Sequence, residues 1–303
     1  MRRIFIFLFL LSAFTSDAQH HPMFSQYFFN DFFINPAVAG SHEWYDVRSN
    51  HRYQWVGLTD APRTFTLSAY GPNKKMNMGY GGVVFTDNVG PTRRTGFNFS
   101  YAYHLKLKED LKLSFGVSAG MLQFMIDGHK ITTHDPGDAV ISNGLQWSME
   151  FDAQFGFYLY SKKWFVGGVV PQLLHNKLYF FSNQLTTGSY LLYHYNLMGG
   201  YKFDLNEDFQ LEPTFLVKYV KPIPVQLDLM ARLIYKDEVW LGASYRTMDA
   251  VSIMAGYKYK NYLSIGYAYD ITTSNIKNYS SGTHELMLGI RFVRRQKESK
   301  SKL

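Results

Sequence analysis

TGFNFSYAYHLKLKEDLKLSFGVSAGMLQFMID, residues Thr95 to Asp127, decides the fold. In its first half Phe97, Phe99, Tyr101, Tyr103, Leu105 and Leu107 occupy the odd positions, while Gly96, Asn98, Ser100, Ala102, His104 and Lys106 occupy the even ones. That period of two is the signature of a strand with one apolar face. After the charged turn Lys108-Glu109-Asp110 the pattern resumes, with Leu111, Leu113, Phe115, Val117, Ala119 and Met121 set against Lys112, Ser114, Gly116, Ser118 and Gly120. Both halves outrun the roughly 5 to 6 residues of an average soluble strand. A long hairpin with an aromatic face and a small or polar one suits a barrel whose outward residues meet lipid.

The same alternation recurs along the chain. Strands are expected at Val47 to Trp55, Thr64 to Tyr70, Met78 to Thr86, the two arms of the hairpin, Met149 to Tyr160, Trp164 to Val170, Leu191 to Leu205, Phe209 to Lys221, Val225 to Tyr235, Val239 to Arg246, Val251 to Tyr259, Leu263 to Ile271 and His284 to Phe292, fourteen in all. The turns support an even number. Those after even-numbered strands are short and charged, such as Lys108-Glu109-Asp110, Ser161-Lys162-Lys163 and Lys236-Asp237-Glu238. Those after odd-numbered strands include the long loops Gly128 to Ser148, Pro171 to Tyr190 and Thr272 to Thr283, besides Asp87 to Arg94. Bacterial barrels keep short turns and termini in the periplasm and long loops outside. The expected fold is an all-β, transmembrane, antiparallel up-and-down barrel over residues 46–292, closed so that no sheet edge is left open.

Composition agrees. The chain is 46% hydrophobic and 17% aromatic with 23 tyrosines, yet mean hydropathy is only -0.20, so apolar and polar residues must interleave. Residues 1–18 carry Arg2 and Arg3, an apolar run from Ile4 to Leu11 and then Ser16-Asp17-Ala18, a secretory signal to be cut after Ala18. No apolar run reaches the roughly 20 residues of a membrane helix. The chain has no cysteine, which excludes disulfides, thiolate metal sites and a lipidated N-terminal Cys. Of the net charge of +7, a good part sits in the tail, residues 293–303, with Arg294, Arg295, Lys297, Lys300 and Lys302 against Glu298. Basicity this local argues against nucleic-acid binding.

Residues 19–45 hold SQYFFNDFFINPAVAGS, an aromatic lead-in. Its Asn35-Pro36 and Gly40-Ser41 are turn chemistry, so the segment folds back, to anchor on the rim or inside the barrel. Inward faces carry both signs of charge, among them Arg48, Arg52, Glu212, Asp228, Arg232, Arg246, Glu285 and Arg291. Such a mixture braces a lumen by cross-strand pairing more naturally than it lines a selective pore. In the loop His134-Asp135-Pro136-Gly137-Asp138 two carboxylates flank a turn, too few oxygens for calcium. No HExxH spacing and no hydrolase-type serine elbow occurs, so no cofactor, metal or catalytic set is expected. His284 beside an outer loop is the remote seed of a lipid-facing hydrolase.

Several ordered motifs carry a resemblance: FSQYFFNDFFINPAVAGS in the lead-in, RYQWVG at Arg52 to Gly57, FTDNVGPTRRTG at Phe85 to Gly96, SYAYHLKL at Ser100 to Leu107, LKLSFGVSAG at Leu111 to Gly120, HDPGD, WLGASYRTMD at Trp240 to Asp249 and the closing HELMLGIRF. Together, from about Phe24 to Phe292, they resemble the PorP/SprF family of type IX secretion outer-membrane proteins. The basic tail after Phe292 departs from a barrel that ends on its last aromatic residue. The resemblance implies a non-enzymatic barrel of the type IX secretion and gliding machinery. It would work with other machinery components, a periplasmic lipoprotein among them, and support export or surface anchoring of an adhesin or cargo with a C-terminal sorting domain. It places Arg52, Gln54 and Trp55 at the outer end of the first strand and Asp87, Gly90 and Pro91 in the next outer loop, expected to bear on the partner with His134, Asp135 and Asp138. Asn35, Pro36 and Gly40 form its N-terminal motif. The alternative is a passive channel or hydrophobic-solute transporter.

Overall fold

The computed structural model describes residues 23–73, 76–131, 144–178 and 189–292. The expected signal segment, the His134, Asp135 and Asp138 loop and the basic tail lie outside these residues. Fourteen strands form the wall: β1 Tyr45–Tyr53, β2 Arg63–Asn73, β3 Met78–Val89, β4 Thr92–Lys106, β5 Lys112–Asp127, β6 Leu145–Tyr160, β7 Trp164–Val170, β8 His194–Tyr201, β9 Phe209–Val220, β10 Ile223–Tyr235, β11 Val239–Arg246, β12 Ala250–Tyr259, β13 Leu263–Thr272 and β14 Thr283–Phe292. Each pairs antiparallel with its sequence neighbours. β1 pairs with β14, and β8 joins β7 to β9, so the cylinder is closed. A two-residue ladder, Lys177–Leu178 with Ser189–Tyr190, lies in the β7–β8 connection outside the wall.

Alternation sets the two surfaces. In β4 Phe97, Phe99 and Tyr103 are exposed while Gly96, Asn98, Ser100, Ala102 and His104 are buried. Phe99 is 71% exposed and Ala102 0%, which makes the outside of the wall its greasy face. That inversion fits a lipid surround, in which backbone groups must pair inside the structure. Among the described residues no helix is long and apolar enough to span a membrane; the crossing is made by strands.

Strand ends differ from the expectation in a consistent way. β5 ends at Asp127 as expected, but β6 starts at Leu145 rather than Met149, because Met125 and Asp127 find partners in Trp147 and Leu145. The expected eight-residue loop Asp87 to Arg94 is instead a two-residue turn at Gly90-Pro91, since Asp87, Asn88 and Val89 pair with Arg94, Arg93 and Thr92. Polar residues above the lipid belt had read as loop, yet they continue the ladder. The expected strand from Leu191 to Leu205 is shorter; it breaks at Lys202, whose amide donates to the Lys163 carbonyl, before the short pairing Phe203–Asp204. The longest connections, 54–62, 128–144, 171–193 and 273–282, still share one end of the barrel, which by the rule for bacterial barrels faces outward.

The core lies inside the cylinder. Residues 24–40 thread the lumen as short turns, Tyr27–Phe29, Asp31–Ile34 and Pro36–Val38. They pack two clusters against the inward faces, Tyr27 with Met198, Leu216, Met230 and Trp240, and Phe32 with Tyr70, Val83, Ala102 and Tyr158. The lead-in is therefore a plug.

Candidate functional site

The plug is gripped near the outer mouth by charges from the wall. Asp270 near the end of β13 and Glu285 on β14 face Arg52 on β1, at 2.8 Å and 3.1 Å. Arg246 on β11 meets Asp228 on β10 at 2.9 Å and Asp249 at 3.0 Å. Arg52, Arg246, Asp228, Asp270 and Glu285 are all at most 2% exposed. Buried charges persist best when their remaining hydrogen-bonding capacity is filled, and here the plug supplies part of it. The Ser25 amide donates to Glu285 (2.7 Å), the Ser25 hydroxyl to Asp270 (2.7 Å) and the Gln26 amide to Glu285 (3.0 Å). In return Arg52 donates to the Ser25 hydroxyl and Arg246 to the Phe24 carbonyl.

Aromatic packing and amide contacts hold the middle. Phe32 stacks on Tyr70 at 4.5 Å, and Phe29 lies 4.3 Å from Trp240. The Arg232 guanidinium, paired with Glu212, covers Phe28 and Phe29 at 4.4 Å and 4.7 Å. Ring contacts of this kind contribute about 0.5–1.5 kcal/mol each beyond burial. Asn30 donates to Asn50 and accepts from Ser68, joining the plug to β1 and β2. Burial first, with Asp46 and Glu212 nearby, raises the Asp31 carboxyl to about 6 despite Arg48. Burial also lowers His42 to about 4, helped by the cations Arg48, Arg291 and Lys202.

At the short-turn end the plug seats on small residues. Asn35 donates to the Phe157 and Gly168 carbonyls at 2.9 Å and 3.4 Å, and its own carbonyl accepts from the Ala37 amide. Pro36 starts the last turn. Gly40, at φ 79°, follows directly on Ala39, whose carbonyl lies 2.8 Å from His104 Nε2. A Cβ at Gly79 would collide with the Ala39 carbonyl, and one at Gly116 with the Pro36-Ala37 backbone. These wall glycines are where plug and barrel backbones touch.

The expected site residues thus fall into two places. Asn35, Pro36, Gly40 and Arg52 belong to the plug and its grip. Gln54, Gly90 and Pro91 line a cavity of about 670 Å³ at the outer rim. Asp87 accepts from the Thr64 hydroxyl at 2.6 Å, and Trp55, at φ 51°, donates its amide to Thr283. His284 Nδ1 lies 2.5 Å from the Tyr267 hydroxyl, and its ring is near the Tyr267 and Tyr269 rings. Sequence reasoning missed Asp270, although it shares the inward parity of Ser264, Gly266 and Ala268. Ser25 and Gln26 carry no periodic signal that would have marked them.

A closed, greasy-walled cylinder filled by its own N-terminal segment defines an outer-membrane β-barrel protein with a plugged lumen. The solved structures it is similar to share that architecture of membrane barrel. One is the Ralstonia pickettii toluene transporter TbuX, at 9% identity over 87% of this chain and 93% of that one, TM-score 0.51. Others are the CymD monoaromatic hydrocarbon channel, at 12% identity over 91% and 94% with TM-score 0.53, and a Pseudomonas aeruginosa FadL homologue, at 12% over 86% and 93% with TM-score 0.51. At such identities the likeness is one of fold. No curated protein matches the sequence. Residues 16–290 match the family described as Type IX secretion system membrane protein PorP/SprF, and the chain belongs to that family.

Proposed function

We propose that this barrel is a non-enzymatic component of type IX secretion that supports export or surface anchoring of a partner protein, a large adhesin or a cargo with a C-terminal sorting domain. Export by the N-terminal signal, cleaved after Ala18, and a link to gliding motility belong to the same reading. The observation that carries it is the plug. Residues 24–40 are tied to the wall at both ends, so the barrel offers its rims, rather than a wide aqueous bore, for work with other proteins. Gln54, Trp55, Asp87, Gly90 and Pro91, with the His134, Asp135 and Asp138 loop, are the positions assigned to that contact at the outer face, and a periplasmic lipoprotein is assigned to the opposite end. Deleting the gene is expected to leave at least one cargo in the periplasm or the medium, as read by surface proteomics. An unchanged surface proteome would reject the proposal.

A second reading, passage of hydrophobic solutes, rests on a lumenal cavity of about 290 Å³ beside the plug, lined by Phe24, Phe33, Phe85, Leu122, Leu216 and Val220 among others. Steady conductance or solute flux through the purified wild-type barrel would favour it.

A further inference from the structure

The cavity at the outer rim lies on the lipid side of the wall. Strand pairing lines up His284 with Tyr53, Tyr53 with Arg63, Arg63 with Asn88, Asn88 with Arg93 and Arg93 with Met125. All six line that cavity, and all have the outward parity of the wall: their chain neighbours Arg52, Thr64 and Arg94 face the lumen. The row thus crosses six adjacent strands, β14 and β1 to β5, just above the apolar surface formed by Phe65, Leu67, Val84 and Phe97.

Arg63 and Arg93 are exposed, and among the described residues neither makes an ion pair. Arg63 lies 5.7 Å over the Tyr53 ring, and Arg93 is 3.7 Å from the Met125 sulfur, a weak acceptor. Lys130, at the cavity edge, pairs loosely with Asp127 at 4.0 Å, and Asp127 also holds His129. Of the carboxylates that line the cavity, only Asp60 is left beside the two guanidiniums, and much of the 54–62 connection lines it too. An arginine directed at lipid needs an anion or the headgroup layer, and its planar fork suits phosphate oxygens. Charge and position select one occupant.

We propose that this rim is a binding site for a phosphorylated lipid of the outer leaflet, with its headgroup phosphate between Arg63 and Arg93 and its acyl chains along the Phe65, Leu67 and Phe97 surface. The site is separate from the plug and does not depend on the partner reading. The test titrates the purified, delipidated wild-type barrel in zwitterionic detergent with a phosphorylated saccharolipid, and with the same lipid after its phosphates are removed. Tenfold or greater preference for the phosphorylated lipid is expected, lost in the Arg63→Gln/Arg93→Gln variant and largely kept in Arg63→Lys/Arg93→Lys. Heat-modifiable gel migration checks that the variants are folded. Should the double variant not fold, the wild-type comparison of the two lipids still decides. Equal binding of both lipids overturns the proposal, as does an unchanged double variant. Displacement by millimolar inorganic phosphate alone would show a free-anion site and overturn the lipid assignment. So would a variant that loses an acidic protein partner while keeping its lipid.

Discussion

Asp31 shows how a single carboxyl couples the plug to pH. Its folded value of about 6 lies above the ordinary aspartate value of 3.8 because burial disfavours the charge. A raised value means stabilisation that is complete below the unfolded value and fades as pH rises through about 6. Amides in residues 29–38 should therefore show better hydrogen-exchange protection at pH 5 than at pH 7.5, after correction for intrinsic rates. In Asp31→Asn, which keeps the acceptor for the Phe32 amide, that difference should shrink. His42 has the opposite sign: its lowered value contributes stability above about 6.5 that is lost as pH falls through 4.

Two further residues test the grip and the seat. Arg246→Ala leaves Asp228 buried without its paired cation, while Asp270 keeps Arg52, and breaking a buried pair costs about 3–5 kcal/mol. The expected outcome is a clear drop in the thermal midpoint in detergent, larger than for Lys162→Ala, whose exposed bond to Asp110 belongs to a class worth about 0–1 kcal/mol. Gly116→Val puts branched carbon where the Pro36-Ala37 backbone lies. Overpacking typically costs about 1–3 kcal/mol, and limited proteolysis is expected to cut within residues 35–44 in the variant and to spare them in the wild type.

At the scale of elements, the plug is a piece that the wall does not need for its own hydrogen bonds. Every strand ladder closes without it. Removing residues 24–40 is expected to leave a folded barrel with steady conductance in planar bilayers, with little or none in the wild type. Equal conductance of the two would show that the segment does not block the bore. Strand existence was legible from period two, as in Phe97 to Leu107. Strand ends were not, because Asp87, Asn88 and Arg93 are polar whether they lie in a loop or continue a ladder above the lipid. Gly116 was visible on the small face of its strand. That it seats a backbone follows only once Pro36 and Ala37 are brought against it.

For the whole molecule, the sign of the surface tells most. The outside is aromatic, the inside polar and small, and the charges that the sequence placed inward brace the wall and hold its contents together. The bracing reading of Arg52, Arg246, Asp228 and Glu285 agrees with the observed pairs, but the charges also bind Ser25 and Gln26, which no cross-strand argument reaches. Legibility failed where an interaction joins parts of the chain 245 and 260 residues apart with no shared period.

The route of residues 24–40 limits how the barrel can be filled. The segment starts near the outer mouth at Arg52 and Asp270, descends to Gly79 and Gly116, and emerges where β1 begins its climb. A cylinder whose strands are all paired offers no slit through which a segment tied at its lower end to β1 can be laid sideways. Such a segment reaches its seat in one of two ways, lengthwise through the lower mouth of a finished wall or enclosed as the last seam between strands closes. In both, filling the bore is an axial event, and the lower rim beside β1 is the hinge on which it turns.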